Sequence, residues 1–159
     1  MSVTPPCECW TENKTKGHDT DSIFVDFNNA FDKVPHDRLL RKLSNLGVGV
    51  VMLNWLLINR KFCVRVGKSL SAWYSAPNGV PKAGFLVHYS FLVYVNVLPS
   101  QLCSLSLMYA DDIKIWHTIN APNDRKSLQA DLNNLAQWVD TWALPVNTAK
   151  FAHLHLGRA

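Results

Sequence analysis

The most constraining feature of this 159-residue sequence is a carboxylate placed inside an apolar strand. The run at positions 23–27, IFVDF, is rich in β-branched and aromatic residues and is apolar at adjacent as well as alternate positions. Such a run is typical of a strand buried on both faces in the centre of a sheet. Asp26 is the charged residue of that run, so the fold must supply a partner for its carboxylate.

A pair of acids, Asp111 and Asp112, lies between two segments that alternate in polarity, 104–109 and 113–116. The alternation predicts a β-hairpin with Ala110-Asp111 at its tip. Two like charges about 4 Å apart repel by about 4 kcal/mol at an effective dielectric of about 20, so converging carboxylates need cations. Oxygen ligands favour magnesium or manganese, and two such ions are suited to phosphoryl transfer.

The same acids have simpler explanations, which the residues alone leave open. Aspartate is common in turns, an Asp-Asp pair at a hairpin tip can be solvated, and Asp26 can cap a backbone group or pair with a lysine. Because 85 residues separate Asp26 from Asp111, spacing does not show that they meet.

The remaining segments predict an α+β fold, with an antiparallel sheet covered by helices on one face. Residues 1–21 show neither helical nor strand periodicity, so we expect an irregular lead-in before one domain at 22–159. The elements predicted within that domain are a helix from Pro35 to Gly47, a hairpin at 60–74, a helix or strand at 91–98, a helix from Asn123 or Asp124 to Pro145, and a strand at 151–156.

Composition limits the location and the partners of the protein. A hydrophobic fraction of 48% provides a core, and a net charge of +4 permits a polyanionic partner without requiring one. Four scattered cysteines and the lack of a signal-like apolar stretch after Met1 predict an intracellular, not a secreted, protein. The most apolar stretches, 48–58 and 85–95, are shorter than the roughly 20 residues of a membrane span, so we expect no membrane partner.

Three motifs stand in order along the chain: FVDFNNAFDKVPH at 24–36, YADD at 109–112 and WALPVNTAK at 142–150. Together they resemble the reverse transcriptase of non-LTR retrotransposons of the jockey or CR1 type. The resemblance covers about residues 22–157 and implies a polymerase palm. It also implies a reaction in which a primer 3′-hydroxyl attacks a deoxynucleoside triphosphate, with an RNA template and a DNA primer as partners.

The resemblance implies roles for individual residues. Asp26 and Asp111 would bind two magnesium ions, with manganese as a possible substitute, and Asp112 would assist. Lys150 would meet the leaving pyrophosphate, for which the simpler alternative is a solvated lysine at a strand end. The backbone carbonyl of Phe27 would add a metal ligand.

Two aromatic residues also receive roles from the resemblance. The ring of Phe31 would be a steric gate that excludes a 2′-hydroxyl, and Tyr109 would pack beside the primer terminus. The simpler alternatives are a core phenylalanine and a tyrosine that packs within its hairpin.

The chain departs from the family pattern at positions 79–84, where GVPKAG replaces the usual GVPQGS. Gly79 and Lys82 occupy positions that support template and nucleotide in the family, but Lys82 adds a charge and Ala83 adds a Cβ. Since 25 residues precede Asp26 and nine follow Lys150, we expect fingers and thumb to be absent. We therefore hypothesise a truncated, degenerate palm that keeps the metal-binding acids and has lost much of its grip on substrate.

Three other functions stay open on the sequence. The first is a nucleic-acid-binding module without chemistry, although Trp116, Trp138 and Trp142 fall on faces assigned to the core. The second is a two-metal nuclease or phosphatase, and the third is an inert remnant with exposed apolar surface. The oligomeric state is open as well.

Overall fold

A computed structural model gives the fold, and it describes residues 6–49, 51, 57, 59–80 and 85–157. These residues belong to two compact units. The sheet unit draws on Met1–Phe27, Val97–Thr141 and Pro145–Ala159, and the helical unit draws on Asn28–Asn96 and Trp142–Leu144. No helix in the described ranges combines the length and apolar composition needed to cross a membrane.

The mixture of helices and antiparallel strands confirms the predicted α+β class. In chain order the elements are α1 (Pro6–Lys16), β1 (Asp19–Asp26), α2 (Ala30–Lys33), α3 (His36–Asn45), β2 (Lys61–Phe62), β3 (Arg65–Val66), β4 (Ser69–Leu70), β5 (Tyr74–Ser75), α4 (Phe85–Val95), β6 (Leu105–Tyr109), β7 (Asp112–Ile119), α5 (Pro122–Trp142) and β8 (Ala152–Leu156). Short 3₁₀ turns occupy Pro99–Gln101 and Thr148–Lys150.

A four-stranded antiparallel sheet in the order β6-β7-β1-β8 forms the sheet unit, so β1 is a central strand as predicted. Val25 pairs with Ile113, and Ile23 pairs with Ile115, which places all four side chains on one face. All four are buried, as are three side chains of α5 with helical spacing, Leu128, Leu135 and Trp138. This face therefore holds the core of the unit.

The N-terminal segment is not irregular, so the prediction for residues 1–21 was wrong over the part that the structure describes. It contains α1 and the first residues of β1. The side-chain amide of Asn13 donates to the hydroxyls of Thr20 and Thr118 at 3.0 and 2.8 Å. Polar contacts with the sheet hold this helix, and it lacks the apolar stripe that a search for periodicity detects.

In the helical unit, α3 begins directly after Pro35 and buries Leu39 and Leu43, as the leucine spacing predicts. Gly47, after its end, has a φ of +80°. The segment at 91–98, left open between helix and strand, is helical from Phe85 to Val95 in α4.

Lys42 links three elements of the helical unit. Its ammonium lies 4.0 Å from the ring centre of Trp142, and it donates a hydrogen bond to the carbonyl oxygen of Tyr94. Burial lowers the pKa of Lys42 to about 8. Most of the apolar stretch at 48–58 lies outside the described residues; Leu57, which the structure describes, is buried.

A buried carboxylate, Asp21, ties β8 to β1. His155 Nδ1 lies 2.6 Å and His153 Nε2 lies 3.3 Å from Asp21 Oδ1, and Arg125 Nε lies 3.5 Å from Oδ2. Burial pushes the pKa of Asp21 upward, but the hydrogen bonds with His155 and His153, together with the charges of these two rings, outweigh it and hold that pKa below its usual value.

A second buried carboxylate, Asp131 of α5, fixes the approach to β6. Its two oxygens accept hydrogen bonds from the backbone N–H groups of Cys103 and Ser104, both at 2.8 Å. The hairpin that carries Asp111 and Asp112 starts from this anchored point.

We expect Asp131→Ala to lower the free energy of unfolding by about 2–4 kcal/mol, because it leaves two backbone donors without their acceptor. Urea unfolding followed by circular dichroism measures the loss. Asp140→Ala, at an exposed position of the same helix, is the control and should change stability by less than about 0.5 kcal/mol. Equal unfolding midpoints for the two variants would contradict the anchoring role.

Candidate active site

The register of β1 and β7 sets Asp26 directly opposite Asp112. Residues opposed in an antiparallel pair point to the same face, with Cβ atoms about 4.5–5.5 Å apart. One residue further on, the N–H of Phe27 donates to the carbonyl oxygen of Asp111 at 3.1 Å. The structure thus brings the acid of the first motif to the acid pair of the second, which spacing alone could not show.

The electrostatics of the site reflect crowded negative charge. Asp26 is 8% exposed, whereas Asp112 is open to solvent. Burial, then the charges of Asp111 and Asp26, and then a hydrogen bond with Asp26 raise the pKa of Asp112. The ionised form of Asp112 is therefore disfavoured until positive charge is supplied.

Lys150 supplies part of that charge. Its Nζ lies 3.1 Å from Asp26 Oδ2, and this hydrogen bond is the main reason why the pKa of Lys150 is raised. The lysine sits on the 3₁₀ turn before β8, with 64% of its side chain exposed. Lys150 is therefore not simply a solvated strand-end lysine, and the pairing of Asp26 with a lysine, left open by the sequence, is present.

Asn147 contacts the same carboxylate, and the sequence analysis gave it no role. Its backbone N–H donates to the carbonyl oxygen of Asp26 at 2.7 Å, and its Nδ2 donates to Asp26 Oδ2 at 3.2 Å. A bridge between Phe27 and Val146 adjoins these bonds. The available signal was the position of Asn147, three residues before Lys150 in the third motif.

The hairpin tip presents the acids beside an open apolar surface. Ala110 has a φ of +53°, a left-handed conformation that a residue with a Cβ rarely adopts. Tyr109 is 81% exposed, and the apolar side of the alternation in β6, including Leu107, faces outward instead of into the core. A cavity of about 410 Å³ lies over this face and is lined by Asp26, Asp112 and Lys150 among others.

The donor set suits a hard divalent cation, since carboxylate oxygens are the ligands that such ions prefer. After desolvation, the charges of Asp111 and Asp26 are the next causes of the raised pKa of Asp112, so negative charge is concentrated where a cation would bind. In the arrangement described, however, no three Asp, Glu, His or Cys side chains of the described ranges are grouped to hold a metal ion. Asp26 and Asp112 are paired, and Asp111 acts through its charge and its backbone carbonyl.

The other sequence-predicted residues lie in the helical unit. The ring of Phe31 packs on Phe91 with centroids 4.8 Å apart. Gly79 has a φ of +87°, and a Cβ at this position would lie 2.9 Å from backbone atoms of Asp32. Both residues thus have packing roles in their own unit, and their substrate roles stay predictions. Lys82 lies outside the described residues.

Comparison with known proteins identifies the family and the fold. The family model described as reverse transcriptase (RNA-dependent DNA polymerase) matches residues 3–156. The chain belongs to the reverse transcriptase family. Members of this family generally use divalent metal ions, in agreement with the donor set above.

Two curated relatives of this reverse transcriptase chain come from Drosophila melanogaster. The probable RNA-directed DNA polymerase from transposon BS is 33% identical over 140 residues, covering 81% of this chain and 16% of the relative. The corresponding protein from transposon X-element is 26% identical over 137 residues, covering 81% and 15%. The chain thus spans about one sixth of the length of these relatives.

Solved structures confirm the fold of the reverse transcriptase chain. Telomerase from Candida tropicalis, in complex with a fragment of telomeric RNA, superimposes with a TM-score of 0.63 at 12% identity, covering 96% of this chain and 30% of that one. Telomerase from Candida albicans gives the same TM-score at 14% identity, covering 93% and 30%.

We expect Asp112→Asn to raise the free energy of unfolding of the metal-free chain at pH 7 by roughly 0.2–1 kcal/mol, because it removes a like charge opposite Asp26. The pKa of Asp112 is higher in the folded than in the unfolded chain, so its ionisation destabilises the fold above that pKa. The advantage of the variant should therefore fade as the pH falls towards about 4, where the unfolded carboxyl is protonated too. Urea unfolding in EDTA between pH 4 and 7 measures this, and a wild type more stable than the variant at pH 7 would refute it.

We expect Asn147→Ala to lower the free energy of unfolding by about 1–3 kcal/mol, because it removes a hydrogen bond to a charged acceptor, Asp26. Asn45→Ala, at an exposed position at the end of α3, is the matched control. Chemical unfolding measures both, and indistinguishable stabilities would mean that the side chain of Asn147 does not hold Asp26.

Proposed function

We propose that this chain carries the catalytic carboxylates of an RNA-directed DNA polymerase, which extends a DNA primer on an RNA template with deoxynucleoside triphosphates. Membership of the reverse transcriptase family supports the reaction class. One observation supports the assignment of residues: Asp26 of β1 stands directly opposite Asp112 of β7, and Lys150 forms an ion pair with the carboxylate of Asp26.

Asp26, Asp111 and Asp112 would hold the metal, which we propose to be two magnesium ions with manganese as a substitute, and the carbonyl of Phe27 would add a ligand. When bound, such ions polarise the attacking hydroxyl and offset the charge that develops on the transferred phosphate. Asn147 donates one hydrogen bond to the backbone carbonyl of Asp26 and one to its side chain, and these bonds fix the orientation of the Asp26 carboxylate.

Lys150 would act on the leaving group. Its exposed ammonium is protonated at neutral pH, as in any lysine, and the hydrogen bond with Asp26 raises its pKa further. From the 3₁₀ turn it can reach a pyrophosphate beside Asp26 and either donate a proton or offset its charge. The open ring of Tyr109 at the hairpin tip is available to pack beside a primer terminus.

Four further assignments belong to the same proposal. Phe31 would be the steric gate against a 2′-hydroxyl. Gly79 and Lys82 would support template and nucleotide. The palm domain predicted at 22–159 would extend back to at least Asp19, where β1 begins, and the protein would act inside the cell.

Metal uptake tests the site directly. Isothermal titration of the purified chain with magnesium and with manganese should show binding, and Asp26→Asn should weaken it roughly tenfold or more. Asp140→Asn, which removes an exposed acid of α5, is the matched control and should bind like the wild type. If a folded wild-type chain takes up neither metal, the assignment of the three acids is wrong.

Primer extension tests the reaction. A labelled DNA primer annealed to an RNA template is incubated with the chain, deoxynucleoside triphosphates and magnesium or manganese. Incorporation that Asp111→Asn abolishes would support the proposal. Metal-dependent cleavage of the nucleic acid without incorporation would instead assign the acids to a nuclease.

A further inference from the structure

The hairpin that spans residues 61–75 exposes an unusual number of aromatic side chains. Phe62 of β2 stands opposite Tyr74 of β5, with ring centroids 5.8 Å apart, and the two residues are 50% and 54% exposed. Trp73, next to Tyr74, is 68% exposed. Large apolar side chains left open to water commonly mark a binding surface.

All charged side chains of the same hairpin are positive. It carries Lys61, Arg65 and Lys68, and no Asp or Glu occurs anywhere between residues 38 and 110 of the sequence. All three cations are exposed, and within the described part of the chain no carboxylate forms an ion pair with them. Their attraction for an external polyanion is therefore uncompensated.

The hairpin holds a defined shape. The N–H of Ala76 donates to the carbonyl of Arg60 at 2.8 Å across its base, and Val64 and Ser71 exchange two hydrogen bonds of 2.9 Å in its middle. At the tip, Gly67 has a φ of +61°, as tight hairpin turns require. The aromatic rings and cations are thus displayed on a hairpin with two short antiparallel ladders, β2–β5 and β3–β4, which the hydrogen bonds between Val64 and Ser71 connect.

We propose that this hairpin binds single-stranded nucleic acid, with Lys61, Arg65 and Lys68 on the phosphates and the rings of Phe62, Trp73 and Tyr74 stacked on unpaired bases. Aromatic faces stack on bases only where these are not already paired, so a single strand suits the hairpin better than a duplex. A protein partner fits less well, because lysine is depleted at the centre of protein interfaces.

This inference deepens the proposed polymerase function, which already includes a nucleic-acid template, by assigning a binding surface to the hairpin; the binding requires neither the three acids nor a metal ion. The hairpin belongs to the helical unit, whereas Asp26, Asp111 and Asp112 belong to the sheet unit. Binding measured in EDTA therefore distinguishes a failure of this inference from a failure of the metal site.

The test is fluorescence anisotropy of the full chain with labelled 12-nucleotide oligo(U) and oligo(dT), in EDTA, across a series of KCl concentrations. The charge variant Lys61→Gln/Arg65→Gln/Lys68→Gln should weaken binding at low salt about tenfold or more and reduce the slope of log K against log salt by about 2. The aromatic variant Phe62→Thr/Tyr74→Thr removes both rings but places residues of high strand propensity in β2 and β5, and it should weaken binding about fivefold or more without changing that slope.

The matched control is Lys16→Gln/Arg41→Gln/Lys126→Gln, which changes the net charge equally at exposed positions outside the hairpin. It should bind more tightly than the charge variant. Circular dichroism melting of every variant verifies folding. Equal affinities of the charge variant and the control, or equal binding of a 12-base-pair duplex, would overturn the proposal.

A change of oligomeric state is the remaining outcome to distinguish. Light scattering of the wild type and the aromatic variant detects it. A wild-type dimer that the aromatic variant dissociates, with oligonucleotide affinity unchanged, would assign the hairpin to a second copy of the chain and overturn the proposal. Preference for oligo(U) over oligo(dT), or the reverse, identifies which kind of strand the hairpin takes.

Discussion

The pairing of β1 with β7 buries aliphatic side chains on one face of the sheet and sets two carboxylates against each other on the opposite face. Both effects come from one register, because Val25 opposite Ile113 makes Asp26 opposite Asp112 unavoidable. A slip by one residue would turn the aliphatic side chains away from the core to the face that carries the acids, so burial of the core fixes the meeting of the acids. The free energy of the core thus supports a local arrangement that electrostatics opposes.

Local sequence patterns were sufficient for much of the fold. The apolar run around Val25 predicted a central strand, the leucines of α3 predicted a helix between Pro35 and Gly47, and alternation around Ala110 predicted the hairpin. Each of these signals depends on which face of one element is buried, and a short window of sequence records that directly. The acids at the candidate site were found in the same way, because charges inside apolar strands are conspicuous.

Other features depend on contacts between distant segments, and no local pattern reports them. Helix α1 is held through Asn13, which contacts Thr20 in the strand that follows the helix and Thr118 in β7, 105 positions away, so the segment was wrongly taken as irregular. Asn147 reaches Asp26 across 121 positions, and its role was missed. The alternation in β6 was recognised, but the choice of its outward side depends on which face the rest of the unit covers, and Leu107 lies on the uncovered one.

The close approach of Gly79 to the backbone of Asp32 limits what mutagenesis at that residue can reveal. The N–H of Gly79 donates to the carbonyl of Val34 at 2.9 Å, and the N–H of Val80 donates to the carbonyl of Phe31 at 2.7 Å. These two hydrogen bonds hold the segment that follows the hairpin against the segment around α2. Any larger residue at position 79 would have to displace the backbone around Asp32 before it could contact a nucleotide. Lost activity in a Gly79 variant would therefore indicate a displaced backbone. The contribution of this position to ligand recognition has to be tested with substitutions at neighbouring residues.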